Sequence, residues 1–509
     1  MIPGHAGNTD TSREREAIDV YRHINSVYMY RDRGPCINTD SVAHHIATQP
    51  EQPRTQSIHP SMCNGDDSKS VAVLGAGGGG LVAARLLRDA GFRVKVFEAS
   101  DQIGGVWVYS DSPTRGALYK SLHTNLPKEV MAYSDFPFDA ALPSFMKHED
   151  VLNYLQAYAR HFNLYHMIAL STPVRSAEYV PGTDWQGDGG RPPGRWLVNG
   201  EEVFGALVVA NGHYNVPHYP PLLKNDFTGV AIHSKEYRSP SPFANKRVLL
   251  VGEGRSGKDL VWELHSLARK VVWSGTSFSD PDAAASARGK LPSSVWPVGR
   301  LEGLDKGGRY IVKGAAGELV TSQDTVDAVI YATGYKFDFP FFSESSGLFP
   351  SECTMRSPEG AFRESLHLHL FHRKHPSSLF FLGLPEFGPG IFKVMEHQTK
   401  AIIAVMKGHV STEDLASLDI RCSFPYGHMR DDIFPYCVML DSLPAGTHRS
   451  FPDDHWQVKL PRDIEVRMEV ARDTREARAS MPQRYRDRNY RIIESDGVEG
   501  GITWEVVVE

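Results

Sequence analysis

The chain has 509 residues, 41% of them hydrophobic, enough for about three domains with sizeable cores at roughly 150 residues each. A formal net charge of −6, from 55 Lys and Arg against 61 Asp and Glu, gives no basic field for nucleic acid or anionic lipid and points to a small-molecule partner. Five scattered cysteines without a CxxC pair, no metal-ligand spacing, no signal-peptide core and no run of about 18 apolar residues fit a soluble, cytoplasmic protein without a membrane span.

Residues 1–69 are polar and rich in turn formers, and read as a disordered leader, with one short helix possible over IDVYRHINSVYMY. The ordered part is expected to start at Val71, where VAVLG and VKVFE read as β-strands flanking the helical LVAARLLRDAG, a βαβ unit of about 30 residues. Its turn, GAGGGGL, places Gly75, Gly77 and Gly80 as GxGxxG, with Gly79 among them. In such a loop the first glycine permits the tight turn, the second lets a pyrophosphate reach the backbone, and the third lets helix and strand approach, while the helix N-terminus attracts the anion. Glu98 follows the second strand, where a carboxylate receives the hydroxyls of an adenosine ribose. The plain alternative is a glycine-rich turn beside a solvated acid.

Next come Gly104 and Gly105 before Val106 and Trp107, where a buried structural Trp is the alternative to a cofactor contact. LYKSLHTNLPKEVMAYSDFPF sets Ser121, His123, Thr124 and Asn125 among apolar residues, and buried polar side chains need partners. FTGVAIHSKEY carries Phe227, Gly229, His233 and Tyr237 at a spacing that matches neither helix nor strand, in the connection between two glycine loops. The second loop, in VLLVGEGRSGKDLVWEL, has Gly252, Gly254 and Gly257, with Ser256 at the start of a helix that could hold a second pyrophosphate. Its following strand, KVVWSGT, ends at Ser274 without an acid, which leaves nothing there to repel a ribose 2′-phosphate and favours NADPH. Glu253 and Lys258 read as solvent-facing, and residues 411–509 form an extension to which no chemistry is assigned.

With those motifs in order, the chain resembles the flavin-containing monooxygenases: FTGVAIHSKEY fits their FxGxxxHxxxY/F signature, and GAGGGGL, GGVW, the HTN segment, ANGHYNVP, the second glycine loop and DAVIYATGY accompany it. The resemblance implies an α/β fold of two Rossmann-like dinucleotide-binding domains, the NADPH domain (213–331) inserted into the FAD domain (70–212 and 332–410), with the signature in the link. It implies FAD and NADPH as cofactors and an oxygen transfer through a C4a-hydroperoxyflavin to a soft sulfur or nitrogen nucleophile of a small molecule. Asn125 is then the catalytic residue beside the flavin, with Val106, Trp107, Thr124 and Leu126 as further cofactor contacts. The chain departs from the family where an arginine is expected near Ser274, for which Arg288 or Lys290 could substitute. A Baeyer–Villiger monooxygenase is a second enzyme reading, set against by Tyr237-Arg238 where Trp-Pro is expected. A non-oxygenating or vestigial flavoprotein is the third.

Overall fold

In the computed structural model, residues 69–182, 194–348, 365–384, 390–421, 433–446, 462–494 and 502–507 are described. The expected leader, its short helix, the FPYGHMRDDIFPY stretch up to Asp432 and every cysteine but Cys437 lie outside them.

Strand β1, Ser70–Leu74, is buried over its whole length, which its unbroken apolar run anticipates, because a parallel strand covered on both faces has no polar side. Helix α1, Gly78–Asp89, follows at once and leads to β2, Arg93–Phe97. Strands β1 and β2 pair in parallel with Leu74 opposite Phe97. The chain then runs through α2, His148–His161, to β3, Ile168–Ala169, and β4, Ala206–Val209. β4 lies parallel to β1 on its other edge.

A second sheet begins with β5, Val230–His233, and continues through β6, Arg247–Val251, α3, Arg255–Leu264, β7, Lys270–Ser274, α4, Pro281–Lys290, and β8, Val295–Val298. Strand β9, Ala328–Tyr331, closes it between β5 and β6. All neighbours in this sheet, ordered β5-β9-β6-β7-β8, are parallel. The chain returns to the first sheet with β10, Leu366–His367, β11, Phe371–His372, and β12, Leu379–Phe381, giving the order β10-β11-β12-β4-β1-β2-β3. The fold is therefore α/β with one parallel unit inserted in the sequence of another, as expected.

Helix α5, Ile391–Met406, covers the first sheet beside α1. The two helices approach closely because α1 begins with glycines: a Cβ on Gly79 would stand 2.8 Å from Met395 Sδ, and one on Gly78 2.6 Å from Phe392 Cε1. Beyond α5 come α6, Ile433–Ser442, α7, Arg462–Ser480, and the antiparallel hairpin of β13, Asn489–Glu494, and β14, Ile502–Val507. Val470, Ala477, Tyr485 and Tyr490 of this segment bury a small apolar core with Val130 and Phe145. The C-terminal extension thus packs beside the HTN stretch.

Candidate active site

The first glycine loop closes at the carboxyl end of β1. Gly75 has φ +106°, a left-handed conformation that favours glycine, and a Cβ there would stand 2.6 Å from Ala210 O. A Cβ on Gly80 would collide with the Gly75 carbonyl, so helix and strand can meet only at glycine. Gly105 crosses directly over Gly77, with a Cβ on Gly77 only 3.4 Å from its Cα, and Gly104 N donates to Ala76 O at 3.0 Å. The paired glycines of GGVW therefore serve to dock that segment on the loop. Val106 is exposed and Trp107 half-buried against the core.

Glu98 is buried, with Oε2 accepting from Ala76 N at 2.7 Å and Oε1 from Ser100 N at 2.8 Å and Ser100 Oγ at 2.7 Å. A carboxylate offers about four lone-pair sites. Three are filled here, which orients the group and leaves capacity for a sugar hydroxyl.

Thr124 is clamped to the strand-like segment beside it. Its N–H donates to Met146 O at 2.8 Å and its Oγ1 accepts from Met146 N at 3.1 Å. Leu126 packs against two cores. Between them, the Asn125 side-chain amide has no hydrogen-bond partner among the described residues, while its carbonyl accepts from Arg478. A rigid backbone carrying a free amide can donate and accept at a bound ring.

The second loop repeats the first. Gly252 has φ +115°, Trp273 Nε1 donates to its carbonyl at 2.8 Å, and a Cβ on Gly257 would collide with that same carbonyl. Gly254 faces open space and Ser256 is exposed at the start of α3. Ser274 lies beneath this loop, 1% exposed, its Oγ donating to Gly299 O at 2.9 Å. Two sequence expectations need correction. Arg288 is committed elsewhere: it donates to Pro292 O and Ser293 O at 3.1 Å and covers the Trp296 ring. Glu253 is half-buried and turns back over the loop, its Oε2 accepting from Ser277 N at 2.9 Å.

The link between the loops explains its unusual spacing. The Phe227 ring folds over Gly229, where any Cβ would strike it. His233 ends β5 fully buried, with Nδ1 accepting from Lys235 N at 3.1 Å, and burial pushes its pKa down to about 4. Tyr237, 1% exposed, meets Tyr119 edge-on and stacks on Phe243. Arg238 follows and spends its guanidinium on five carbonyls: Ser110 at 2.6 Å, Ser112 at 2.6 Å, Arg115 at 2.8 Å, Lys235 at 2.7 Å and Tyr237 at 3.0 Å. The signature is structural: it fastens the link to the segment after GGVW.

Arg478 and Arg486 were invisible to motif reading, because both act on main-chain carbonyls more than 350 residues away. Arg486 donates to Thr124 O at 3.1 Å and His123 O at 3.4 Å, and pairs with Asp259 of α3 at 3.0 Å. Tyr119 Oη also donates to Asp259, at 3.1 Å, and Ser121 Oγ to Glu263 at 2.8 Å. The HTN segment is thereby tied to the helix that starts at the second loop.

Each loop fits the pyrophosphate of a dinucleotide: a positive-φ glycine at a strand end, backbone alone nearest Gly75 and Gly77 and open space at Gly254, and the start of a helix of 10 or 12 residues. A family model described as Flavin-binding monooxygenase-like matches residues 68–280. Flavin-containing monooxygenase FMO GS-OX3 of Arabidopsis thaliana is 33% identical over 403 residues, covering 74% of this chain and 79% of that one. The chain belongs to the flavin-containing monooxygenases. FMO GS-OX1 of the same plant is 32% identical over 471 residues, covering 82% of this chain and 94% of its own length. The solved structure of S-allyl-L-cysteine S-oxygenase from Allium sativum superposes with a TM-score of 0.63 at 26% identity, over 82% of this chain and 94% of that one. Flavin-containing monooxygenases use FAD and NADPH, and this chain is an enzyme of that family. Among the described residues no helix is long and apolar enough to cross a membrane.

Proposed function

We propose that the protein oxygenates the sulfur of a small thioether, using FAD, NADPH and O2. The observation that carries the reading is the pair of glycine loops joined through the HTN segment, where Asn125 offers an unpartnered amide. Likeness to an S-oxygenase over most of both chains supports sulfur over nitrogen.

In this reading the FAD domain spans 70–212 and 332–410 and the NADPH domain 213–331. The backbone at Gly75, Gly77, Gly79 and Gly80 holds the FAD pyrophosphate and Glu98 receives its ribose, while Val106, Trp107, Thr124 and Leu126 bound the flavin. Gly252, Gly254, Ser256 and Gly257 hold the NADPH pyrophosphate. Ser274, through Gly299, fixes the floor beneath it. The chemistry supplied by bound FAD is reductive activation of O2 and delivery of one oxygen atom to a nucleophile. The chain's part is to orient and to keep water out. Asn125 presents a donor and an acceptor at the flavin edge, and the arginines of the C-terminal segment hold its backbone still.

A panel of thioethers, tertiary amines and ketones tests this, with NADPH consumption and products read by mass spectrometry. Sulfoxides should form with the highest kcat/KM. Oxygenated amines or esters in preference to sulfoxides would replace the sulfur assignment.

A further inference from the structure

The two glycine loops can be overlaid residue by residue from their strand registers. Leu74 stands opposite Phe97 in the first sheet and Val251 opposite Ser274 in the second. Counting outward, Gly75 corresponds to Gly252, Ala76 to Glu253, Glu98 to Gly275 and Ser100 to Ser277. In the first unit the acid stands at the strand end and reaches back across the cleft: Glu98 accepts from Ala76 N on one side and from Ser100 N and Oγ on the other. In the second unit that strand-end position is glycine. The acid has moved to the opposite wall, where Glu253 replaces the residue equivalent to Ala76.

Glu253 nevertheless delivers its carboxylate to the same place. Its Oε2 accepts from Ser277 N at 2.9 Å, its Oε1 accepts from Ser277 Oγ, and its Cδ lies directly over Gly275, where any Cβ would collide with it. The acid at 253 requires the glycine at 275, since a Cβ there would collide with Glu253 Cδ.

We infer that Glu253 is the specificity-determining residue of the coenzyme site, and that its carboxylate selects against a ribose 2′-phosphate so that this chain takes NADH as readily as NADPH. The inference rests on the reading of the second loop as the NADPH site. Two effects act together. A carboxylate accepts hydrogen bonds from ribose hydroxyls but repels a phosphate of up to two negative charges. It also occupies Ser277 N and Oγ, the donors with which the loop after β7 would otherwise grip that phosphate. No compensating cation comes from Arg288, whose guanidinium is spent on the carbonyls of Pro292 and Ser293 past the end of α4. Arg255, between Gly254 and Gly257, and Lys258 both lie in the first turn of α3, on the pyrophosphate side of the loop.

The test is equilibrium binding of NAD+ and NADP+ to the FAD-loaded protein by titration calorimetry, in the parent and in Glu253→Gln, which keeps the side-chain length and removes the charge. In the parent, NAD+ should bind within about threefold of NADP+ or more tightly. In Glu253→Gln the ratio should shift toward NADP+ by about tenfold or more, the scale of one charge-assisted contact. If Glu253→Gln fails to fold, Glu253→Ala is read in the same titration and should shift the ratio toward NADP+ in the same direction. A parent that binds NADP+ more than about tenfold better than NAD+, or a ratio unmoved by Glu253→Gln, overturns the inference while leaving the second loop as the coenzyme site. Failure of both nucleotides to bind overturns that assignment as well.

Discussion

Arg486 Nη2 stands 3.0 Å from Asp259 Oδ2, joining the C-terminal segment to the helix that opens at the second glycine loop. The same guanidinium holds the carbonyls of His123 and Thr124, so one side chain spans the HTN segment and the second parallel unit. Arg486→Ala should cost about 1.5 to 3 kcal/mol in urea unfolding, the usual range for hydrogen bonds to a charged group. A double-mutant cycle with Asp259→Asn should give a coupling energy above about 0.5 kcal/mol. Additive effects would mean that the pair carries no joint energy.

The glycine loops separate folding from binding. Gly254→Ala adds a methyl group to open space, so it should leave Tm within about 2 °C while weakening NADP+ binding by about tenfold through crowding of the pyrophosphate. Gly80→Ala drives its methyl into the Gly75 carbonyl and should destabilise the fold by about 1 to 3 kcal/mol. Differential scanning fluorimetry and calorimetric titration of both variants distinguish the roles.

Asn125→Ala removes a free amide from a backbone that its neighbours continue to hold. NADPH should still be consumed, but the share of electrons leaving as hydrogen peroxide should rise by about tenfold, the effect expected from one lost hydrogen bond at a dry site. The ratio of peroxide to sulfoxide is the readout. An unchanged ratio would remove Asn125 from the catalytic assignment.

Most of the nucleotide framework was legible in the sequence because its chemistry is local: a buried strand, a glycine turn and a helix start lie within about a dozen residues of one another. The acid Glu98 was legible by count along the chain. Glu253 was not, since a carboxylate in a loop gives no sign of which way it turns, and only the space above Gly275 shows it. The role of GGVW was hidden for the same reason, Gly105 being needed by Gly77 across the fold. Arg478 and Arg486 leave no sequence signal at all, since a carbonyl acceptor can belong to any residue.

Acid should weaken the fold through two histidines. Burial pushes His233 and His372 down to about 4 from the ordinary value of 6.5. The unfolded chain therefore binds more protons below pH 6.5, and the stability that neutral His233 and His372 contribute is present above that pH and lost as pH falls toward 4. From pH 7 to 5 the loss should be about 1 to 2 kcal/mol for each histidine. Urea unfolding at the two pH values, for the parent and for His233→Gln, measures it. A parent whose stability is flat across that interval would contradict the burial of these rings.

The most direct test of the oxygenase assignment is the fate of isotopically labelled dioxygen during turnover of the FAD-loaded protein with NADPH and a thioether. The expected result is one labelled oxygen atom in the sulfoxide for each NADPH oxidised. Sulfoxide carrying oxygen from solvent, or NADPH oxidised with all the label recovered in hydrogen peroxide for every substrate offered, would contradict it.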